Sequence, residues 1–244
     1  ILRKGLLRYS TVQTFLHREV FDLAEDTDGV NVQFKDLKTG KLGEIRSSFV
    51  IGCDGARSFI RDKIGKGFED LGFNEPWLVV ELVLDIPRPE FGPQSVHHCD
   101  PNRSATYVFL GGHRRRWELR LKPDDNPVEI TKPKLVWSML SKWIGPDDAI
   151  LERAIVYTFH SSVAKQWHRD RLMIAGDAAH QTPPFMGQGM CAGIRDVFNL
   201  GWKLNSILKG RANEDLLRTY QSEREPHVRA FIDLTVEMGR LINT

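Results

Sequence analysis

Gly176-Asp177-Ala178-Ala179-His180-Gln181-Thr182-Pro183-Pro184-Phe185-Met186-Gly187-Gln188-Gly189-Met190 is the stretch on which the fold turns. Arg171-Leu172-Met173-Ile174-Ala175, just before it, is a short apolar run of the kind buried in a sheet. A strand therefore ends at a glycine and an acid, a rigid Pro-Pro turn follows, and a helix opens on glycines. A carboxylate just beyond a strand C-terminus, at the crevice of an open α/β sheet, suits hydrogen bonds to ligand hydroxyls. Gly187 and Gly189 leave the first helical N–H groups uncovered, so a ligand with partial negative charge can approach them. Packing alone also accounts for two glycines at a helix start. Gly187-x-Gly189-x-x-x-Gly193 follows a proline turn, not a strand, and is a poor match to the dinucleotide fingerprint.

Downstream, a helix is predicted over residues 187–209. At 100° per residue Met190, Ile194, Val197, Phe198, Gly201, Leu204 and Leu208 share one side, and Arg195, Asp196, Asn199 and Lys203 fall opposite. Two further helices are predicted, 214–224 and 227–241, separated at Pro226. Upstream, short β-rich runs at 11–16, 19–23, 30–34 and 45–51 are divided by the turn signals Asp28-Gly29 and Thr39-Gly40. The last run enters Gly52-Cys53-Asp54-Gly55, and residues 57–64 read as a helix stopped by Gly65. By itself that corner reads as a tight strand-to-helix turn with Asp54 capping the helix.

The middle has a different texture. Residues 77–86 form a long strand closed by Pro87 and Pro89, and 104–110 and 116–121 flank Gly111-Gly112 as a hairpin. In its second arm Trp117, Leu119 and Leu121 point one way and Arg116, Glu118 and Arg120 the other, predicting one packed and one wet face. A helix over 134–144 and a strand over 154–159 lead back out. The expected organisation is α/β (α+β): an antiparallel sheet at 74–159 inserted between pieces of an α/β domain at 1–73 and 160–210, with C-terminal helices at 211–244.

The 244 residues, at about 150 per domain, allow one large domain or two small ones. Hydrophobic residues at 41% and charged residues at 27% exclude disorder and collagen-like structure. Thirty-four Lys and Arg against thirty-two Asp and Glu give +2, too balanced to argue for nucleic acid or an anionic membrane. No apolar run reaches the roughly 18 residues of a membrane span. Cys53, Cys99 and Cys191 lack C-x-x-C spacing and read as reduced thiols of a cytoplasmic protein. His97-His98-Cys99-Asp100 places adjacent histidines on opposite faces of a strand, so no metal is expected. His113-Arg114-Arg115-Arg116 beside the Gly-Gly turn reads as a solvated hairpin tip. His180 reads equally as a residue near a cofactor or as a hydrogen-bonded core histidine.

Taken together, Val50-Ile51-Gly52-Cys53-Asp54-Gly55-Ala56-Arg57-Ser58 and Arg171-Leu172-Met173-Ile174-Ala175-Gly176-Asp177 resemble the two acidic motifs of FAD-dependent aromatic hydroxylases of the p-hydroxybenzoate hydroxylase fold. Pro184-x-x-Gly187-Gln188-Gly189-Met190 and Asp196-x-x-Asn199-Leu200-x-Trp202-Lys203-Leu204 continue the likeness in order. Glu223-Arg224-Glu225-Pro226-His227 and Met238-Gly239-Arg240-Leu241-Ile242 are most similar to 3-(3-hydroxyphenyl)propionate hydroxylases. The resemblance implies that Asp177, with Gly176, hydrogen-bonds the flavin ribityl chain and that Asp54 helps hold the cofactor. It implies that Gly187, Gln188, Gly189 and Met190 set a helix N-terminus beside the flavin pyrimidine edge. Pro184 would then shape the pocket at the reactive face, with Phe185 and Met186 touching substrate. The implied chemistry is reduction by NADH or NADPH, O2 addition to give a flavin hydroperoxide, and oxygen transfer to a small phenolic acid, with no acid–base catalytic residue. A homodimer is compatible with this reading.

The family opens with a βαβ unit bearing G-x-G-x-x-G, and no such motif occurs here. Ile1-Leu2-Arg3-Lys4-Gly5-Leu6-Leu7 reads as the end of a helix, so the expectation is an internal piece of the FAD-binding fold lacking that unit. Two alternatives stay open: a flavoprotein-fold remnant that does not catalyse, and another flavin oxidoreductase of the same fold.

Overall fold

The computed structural model describes residues 2–243 of the chain, so Ile1 and Thr244 lie outside the described residues. A short helix α1 (Leu2–Leu6) carries Arg3 and Lys4 in its last turn. An exposed segment follows, and the β-rich run at 11–16 forms no strand there. Six β-prone residues without a partner strand gain no ladder hydrogen bonds. The meander comes next, β1 (Arg18–Glu25), β2 (Val30–Asp36) and β3 (Leu42–Ser47), antiparallel in that order.

The run predicted as a single strand at 45–51 breaks in two, because the chain changes sheets. The Ser47 hydroxyl donates to the Phe49 carbonyl at 3.0 Å across the break. β4 (Val50–Gly52) then joins a second sheet. Helix α2 (Phe59–Ile64) is capped by Ser58, whose Oγ accepts the Arg61 N–H at 2.9 Å. Gly65 ends it with φ +91°, a left-handed conformation that favours glycine.

β5 (Phe68–Leu84) is the spine of a six-stranded sheet with β6 (Val96–His98), β7 (Ala105–Phe109), β8 (Arg114–Arg120) and, after α3 (Pro133–Leu140), β9 (Ala149–Ala164). β10 (His168–Arg169) and β11 (Leu172–Ile174) return to β4, and β12 (His180–Gln181) edges the large sheet in the order β12-β9-β5-β8-β7-β6. β5 and β9 run through residues 73/74 and 159/160, so the large sheet grows directly out of the α/β part.

Alternation along β5 divides the large sheet. Leu78, Val80, Leu82 and Leu84 face a core shared with Trp117, Leu119, Val136 and Leu140. Each such side chain contributes about 1.5–3 kcal/mol when fully buried. The other face carries Trp77, Val79 and Glu81, paired in register with Arg120, Glu118 and Arg116 of β8 and with Tyr157, Ile155 and Arg153 of β9. That face is not wet as the alternation predicts: Glu118 is buried, and Arg116 is ion-paired to Glu81 at 2.6 Å. At 113–116 the tip is solvated at His113 and Arg114 but not beyond. Arg114 opens β8 and pairs with Glu152, and Arg115 is buried over the Phe109 ring.

Two helices close the α/β part, α4 (Gly189–Leu208) and α5 (Arg218–Ile242). The apolar stripe expected to anchor α4 faces outward instead, with Met190, Ile194, Val197, Phe198 and Leu208 exposed. Of that side Leu204 is buried, together with Ala192, Asp196, Leu200 and Lys203. The exchange is tolerated because Asp196 is fully hydrogen-bonded and Lys203 reaches Glu223 Oε2 at 2.8 Å. The predicted break at Pro226 is also absent, and α5 runs through it. Pro226 and Ser222, whose carbonyl loses its helical partner, are both exposed, so water can serve the orphan. Tyr220, Arg224, Val228 and Ile232 continue the buried side across the proline.

Candidate active site

β11 and β4 are parallel, with Ile174 beside Gly52, and the Ala175 N–H donates to the Gly52 carbonyl at 3.0 Å. The two glycine–acid corners, far apart in sequence, therefore leave one sheet edge side by side. That is the crevice position at which open α/β sheets bind ligands.

Gly176 sits at φ +61°, and a Cβ on Gly193 of α4 would lie 3.2 Å from the Gly176 Cα. The helix and the corner thus touch backbone to backbone. Beneath them lies a buried polar cluster. The Asp196 carboxylate, fully buried, accepts the Gly176 N–H at 3.1 Å, His180 Nε2 at 2.6 Å and Arg224 Nε at 2.9 Å. His180 is thereby a core residue, beside Trp167 with ring centroids 5.5 Å apart. Asp196, assigned by periodicity to the outer polar side, is the hub of the corner.

Above the corner opens a cleft of about 340 Å³ lined by Cys53, Gly55, Gly176, Asp177, Met190 and Gly193. The outward stripe of α4 supplies its apolar wall through Met190, Ile194 and Val197. Asp177 is exposed, and among the described residues its carboxylate has no hydrogen bond or ion pair. Asp54 stands at the neighbouring corner, where its Oδ2 accepts the Ile60 N–H at 3.2 Å and closes the start of α2. Burial, reinforced by Asp54 and Asp196, pushes the Cys53 thiol up from its ordinary pKa. The Gln188 side chain makes no capping bond at the start of α4, and Gly187 turns into the helix at φ +61°. Glycine backbone, a free carboxylate and an uncapped helix N-terminus form a donor and acceptor set that fits a polyhydroxylated, electron-accepting cofactor such as FAD.

The turn before α4 is pinned to the large sheet. Phe185 is buried, its ring centroid 5.5 Å from that of Trp77, 5.8 Å from Phe73 and 6.1 Å from Phe159. Its carbonyl lies 3.2 Å from His97 Nε2, while His97 Nδ1 lies 2.9 Å from Thr106 Oγ1. Met186 is half-buried with its sulfur 3.6 Å from Thr235 Oγ1, and Pro184 is exposed. Pro184 faces a second cavity of about 240 Å³, with Val79 and Phe159 as further apolar walls. Its polar lining is Glu81, Arg116, Glu118, Arg153 and Tyr157. The start of α4 therefore stands between two cavities, with Pro184 at one and Met190 at the other.

Burial raises the Glu118 pKa above the ordinary glutamate value, against the opposing pull of Arg116. Sequence reasoning missed Glu118, Arg153 and Tyr157. The period-two pattern at 116–120 did put Arg116 and Glu118 on one face, but which face meets the Pro184 turn depends on long-range packing. Among the described residues no group of three His, Cys, Asp or Glu is placed to hold a metal ion, and no helix is long and apolar enough to cross a membrane.

Comparisons with known proteins agree with this geometry. Residues 1–235 match the model of a family described as FAD binding domain. The chain is 41% identical over 217 residues to a probable NADH-specific resorcinol 4-hydroxylase of Rhodococcus jostii, covering 89% of this chain and 40% of that protein. It is 37% identical over 252 residues to a 3-(3-hydroxy-phenyl)propionate/3-hydroxycinnamic acid hydroxylase of Mycobacterium avium, covering 99% of this chain and 43% of that one. Among solved structures, the flavin-dependent monooxygenase PieE in complex with FAD and substrate matches at TM-score 0.80 and 27% identity, over 92% of this chain and 40% of that one. The chain spans about two fifths of the length of these relatives. On its sequence the chain belongs to the FAD binding domain family.

Proposed function

We propose that the chain serves an FAD-dependent, NADH- or NADPH-consuming monooxygenase that hydroxylates a small phenolic acid resembling 3-(3-hydroxyphenyl)propionate. In this reading residues 1–73 and 160–210 belong to the flavin domain, 74–159 to the substrate sheet and 211–244 to the supporting helices. The observation that carries it is the start of α4 standing between a cleft edged by the unpartnered Asp177 and a cavity walled by Pro184.

FAD, when bound, supplies electron transfer from the nicotinamide and activation of O2 for oxygen insertion. The Asp177 carboxylate accepts hydrogen bonds from cofactor hydroxyls, and the Gly176 backbone lets the cofactor approach closely. Asp54 holds the neighbouring corner. The first N–H groups of α4, around Gly187, Gln188, Gly189 and Met190, would stabilise negative charge on the bound cofactor. Pro184 would shape the pocket beside the cofactor, while Phe185 and Met186, which the resemblance gives as substrate contacts, line neither cavity and hold that turn against the sheet. The aromatic cluster behind it keeps water from the reacting face.

The test uses the protein at its full natural length. NAD(P)H oxidation is expected to rise on addition of a phenolic acid, with one hydroxylated product formed per nicotinamide consumed. Asp177→Asn is expected to weaken FAD retention about tenfold, as loss of a charge-assisted hydrogen bond does. A purified protein with no flavin spectrum after FAD addition, or oxidation without hydroxylated product, overturns the proposal.

A further inference from the structure

The cavity beside Pro184 is small, about 240 Å³, below the roughly 300 Å³ at which pockets for larger ligands begin, and so suits one substituted ring. Val79, Phe159 and Pro184 supply its apolar walls. The polar groups at its edge are not equivalent. Glu81 is engaged by Arg116, whose Nη2 donates to Glu81 Oε1 at 2.6 Å. That pairing leaves Glu118 with Arg116 Nη1 at 3.7 Å, beyond hydrogen-bond range. The Glu118 side chain is only 8% exposed, and Arg116 at 3.7 Å is its ion-pair partner among the described residues. Arg116 Nε is buried with no hydrogen-bond partner. A carboxyl whose charged partner stands 3.7 Å away has lone pairs left for a ligand that enters the cavity it lines.

At the cavity's other edge Arg153 is exposed. Its Nη2 donates to Tyr157 Oη at 2.5 Å, and its guanidinium lies 5.5 Å from the centroid of that ring. Among the described residues it has no ion pair. Of the two arginines lining the cavity, Arg116 is held by acids and Arg153 is held only by a neutral phenol.

We infer that Glu118 and Arg153 read the two polar ends of the aromatic substrate, Glu118 taking the ring hydroxyl and Arg153 a carboxylate carried on a short arm. The inference rests on the hydroxylase reading above and assigns that reaction's substrate specificity to two residues. A phenol hydroxyl both donates and accepts, so it satisfies Glu118 whether that carboxyl is ionised or protonated. Burial raises the Glu118 pKa from the ordinary glutamate value. An exposed guanidinium pre-positioned over Tyr157 offers a planar fork that matches a carboxylate. A dihydroxybenzene without an acidic arm would leave Arg153 unused.

The test compares Arg153→Met, Arg153→Lys and Glu118→Met in the full-length, FAD-loaded protein. Three ligands are used: 3-(3-hydroxyphenyl)propionate, 3-phenylpropionate without the hydroxyl, and 3-ethylphenol without the carboxylate. Arg153→Met is expected to raise KM or Kd about tenfold for both acids, as loss of a charge-assisted contact does, and to leave 3-ethylphenol within about twofold. Arg153→Lys is expected to recover part of the loss. Glu118→Met, which removes both carboxyl oxygens at similar length, is expected to weaken both phenols about tenfold and leave 3-phenylpropionate within about twofold. Binding is read from tryptophan fluorescence, since Trp77 stacks on the cavity wall residue Phe159 at 5.7 Å. Equal effects of either variant on all three ligands, or no effect, overturn the assignment. Selective binding effects in a protein that oxidises no NAD(P)H would instead overturn the hydroxylase reading and leave the two subsites standing.

Discussion

Replacing Asp196 tests the buried hub beneath the glycine–acid corner. Its fully buried carboxylate takes one backbone N–H, one imidazole and one guanidinium, at 3.1, 2.6 and 2.9 Å. In Asp196→Ala the Arg224 side chain, 10% exposed, keeps its charge and loses its only carboxylate partner among the described residues. Removing one member of a buried ion pair costs about 3–5 kcal/mol, which dominates the loss of the individual hydrogen bonds. Whole-protein stabilities are about 5–15 kcal/mol, so the variant is expected to lose a large share of its folded margin. Asp196→Asn keeps the shape but turns an amide donor toward either Arg224 or the Gly176 and His180 side, and is expected to lose about 1–3 kcal/mol. Asp196→Ala combined with Arg224→Met removes both charges and should be more stable than Asp196→Ala alone, a coupling that a double-mutant cycle reads. Urea denaturation followed by circular dichroism and tryptophan fluorescence gives the values, and Trp167 beside His180 reports locally. A loss below about 1 kcal/mol for Asp196→Ala, or additivity in the cycle, refutes the hub.

Three further outcomes are expected. A Cβ on Gly239 would lie 2.5 Å from Phe185 Cε2, in a ring already held by three aromatic neighbours, so Gly239→Ala should overpack it. Overpacking of about 1–3 kcal/mol opposes a helix-propensity gain of about 1 kcal/mol, giving net destabilisation in thermal or urea melts; a more stable variant would contradict the packing. Ser58→Ala removes the cap on the Arg61 N–H and is expected to lose about 1 kcal/mol, measured by urea denaturation. Glu223 is held down to about 2 by hydrogen bonds from Asn199 and Lys203, below the ordinary 4.5. A depressed carboxylate stabilises the fold above its unfolded value and loses that contribution as pH falls from about 4.5 to 2. Glu223→Gln should therefore flatten the acid limb of a stability–pH curve, and an unchanged limb would argue against the pairing with Lys203.

Local chemistry made much of this molecule legible. The glycine, proline and alternation signals give the meander, the hairpin at Gly111-Gly112, the capped helix ending at Gly65 and the strand before Gly176, because each depends on residues close in sequence. Periodicity failed where a residue's environment came from elsewhere in the chain. The apolar stripe of α4 edges the cleft while Asp196 and Lys203 go inward, since α5 supplies their partners Arg224 and Glu223. The 116–120 strand was readable as two faces, but only the Pro184 turn, pinned through Phe185 and His97, encloses Glu118.

The residues alone thus determined the two glycine–acid corners, the family they resemble and the α/β-with-inserted-sheet architecture. Tertiary structure decided that the corners lie side by side, because parallel pairing of β4 with β11 aligns Gly52 with Ile174. It also decided which charged groups are buried and which remain free for a ligand. Burial and pairing are set by what packs against a face, and the period of one strand or helix cannot carry that information.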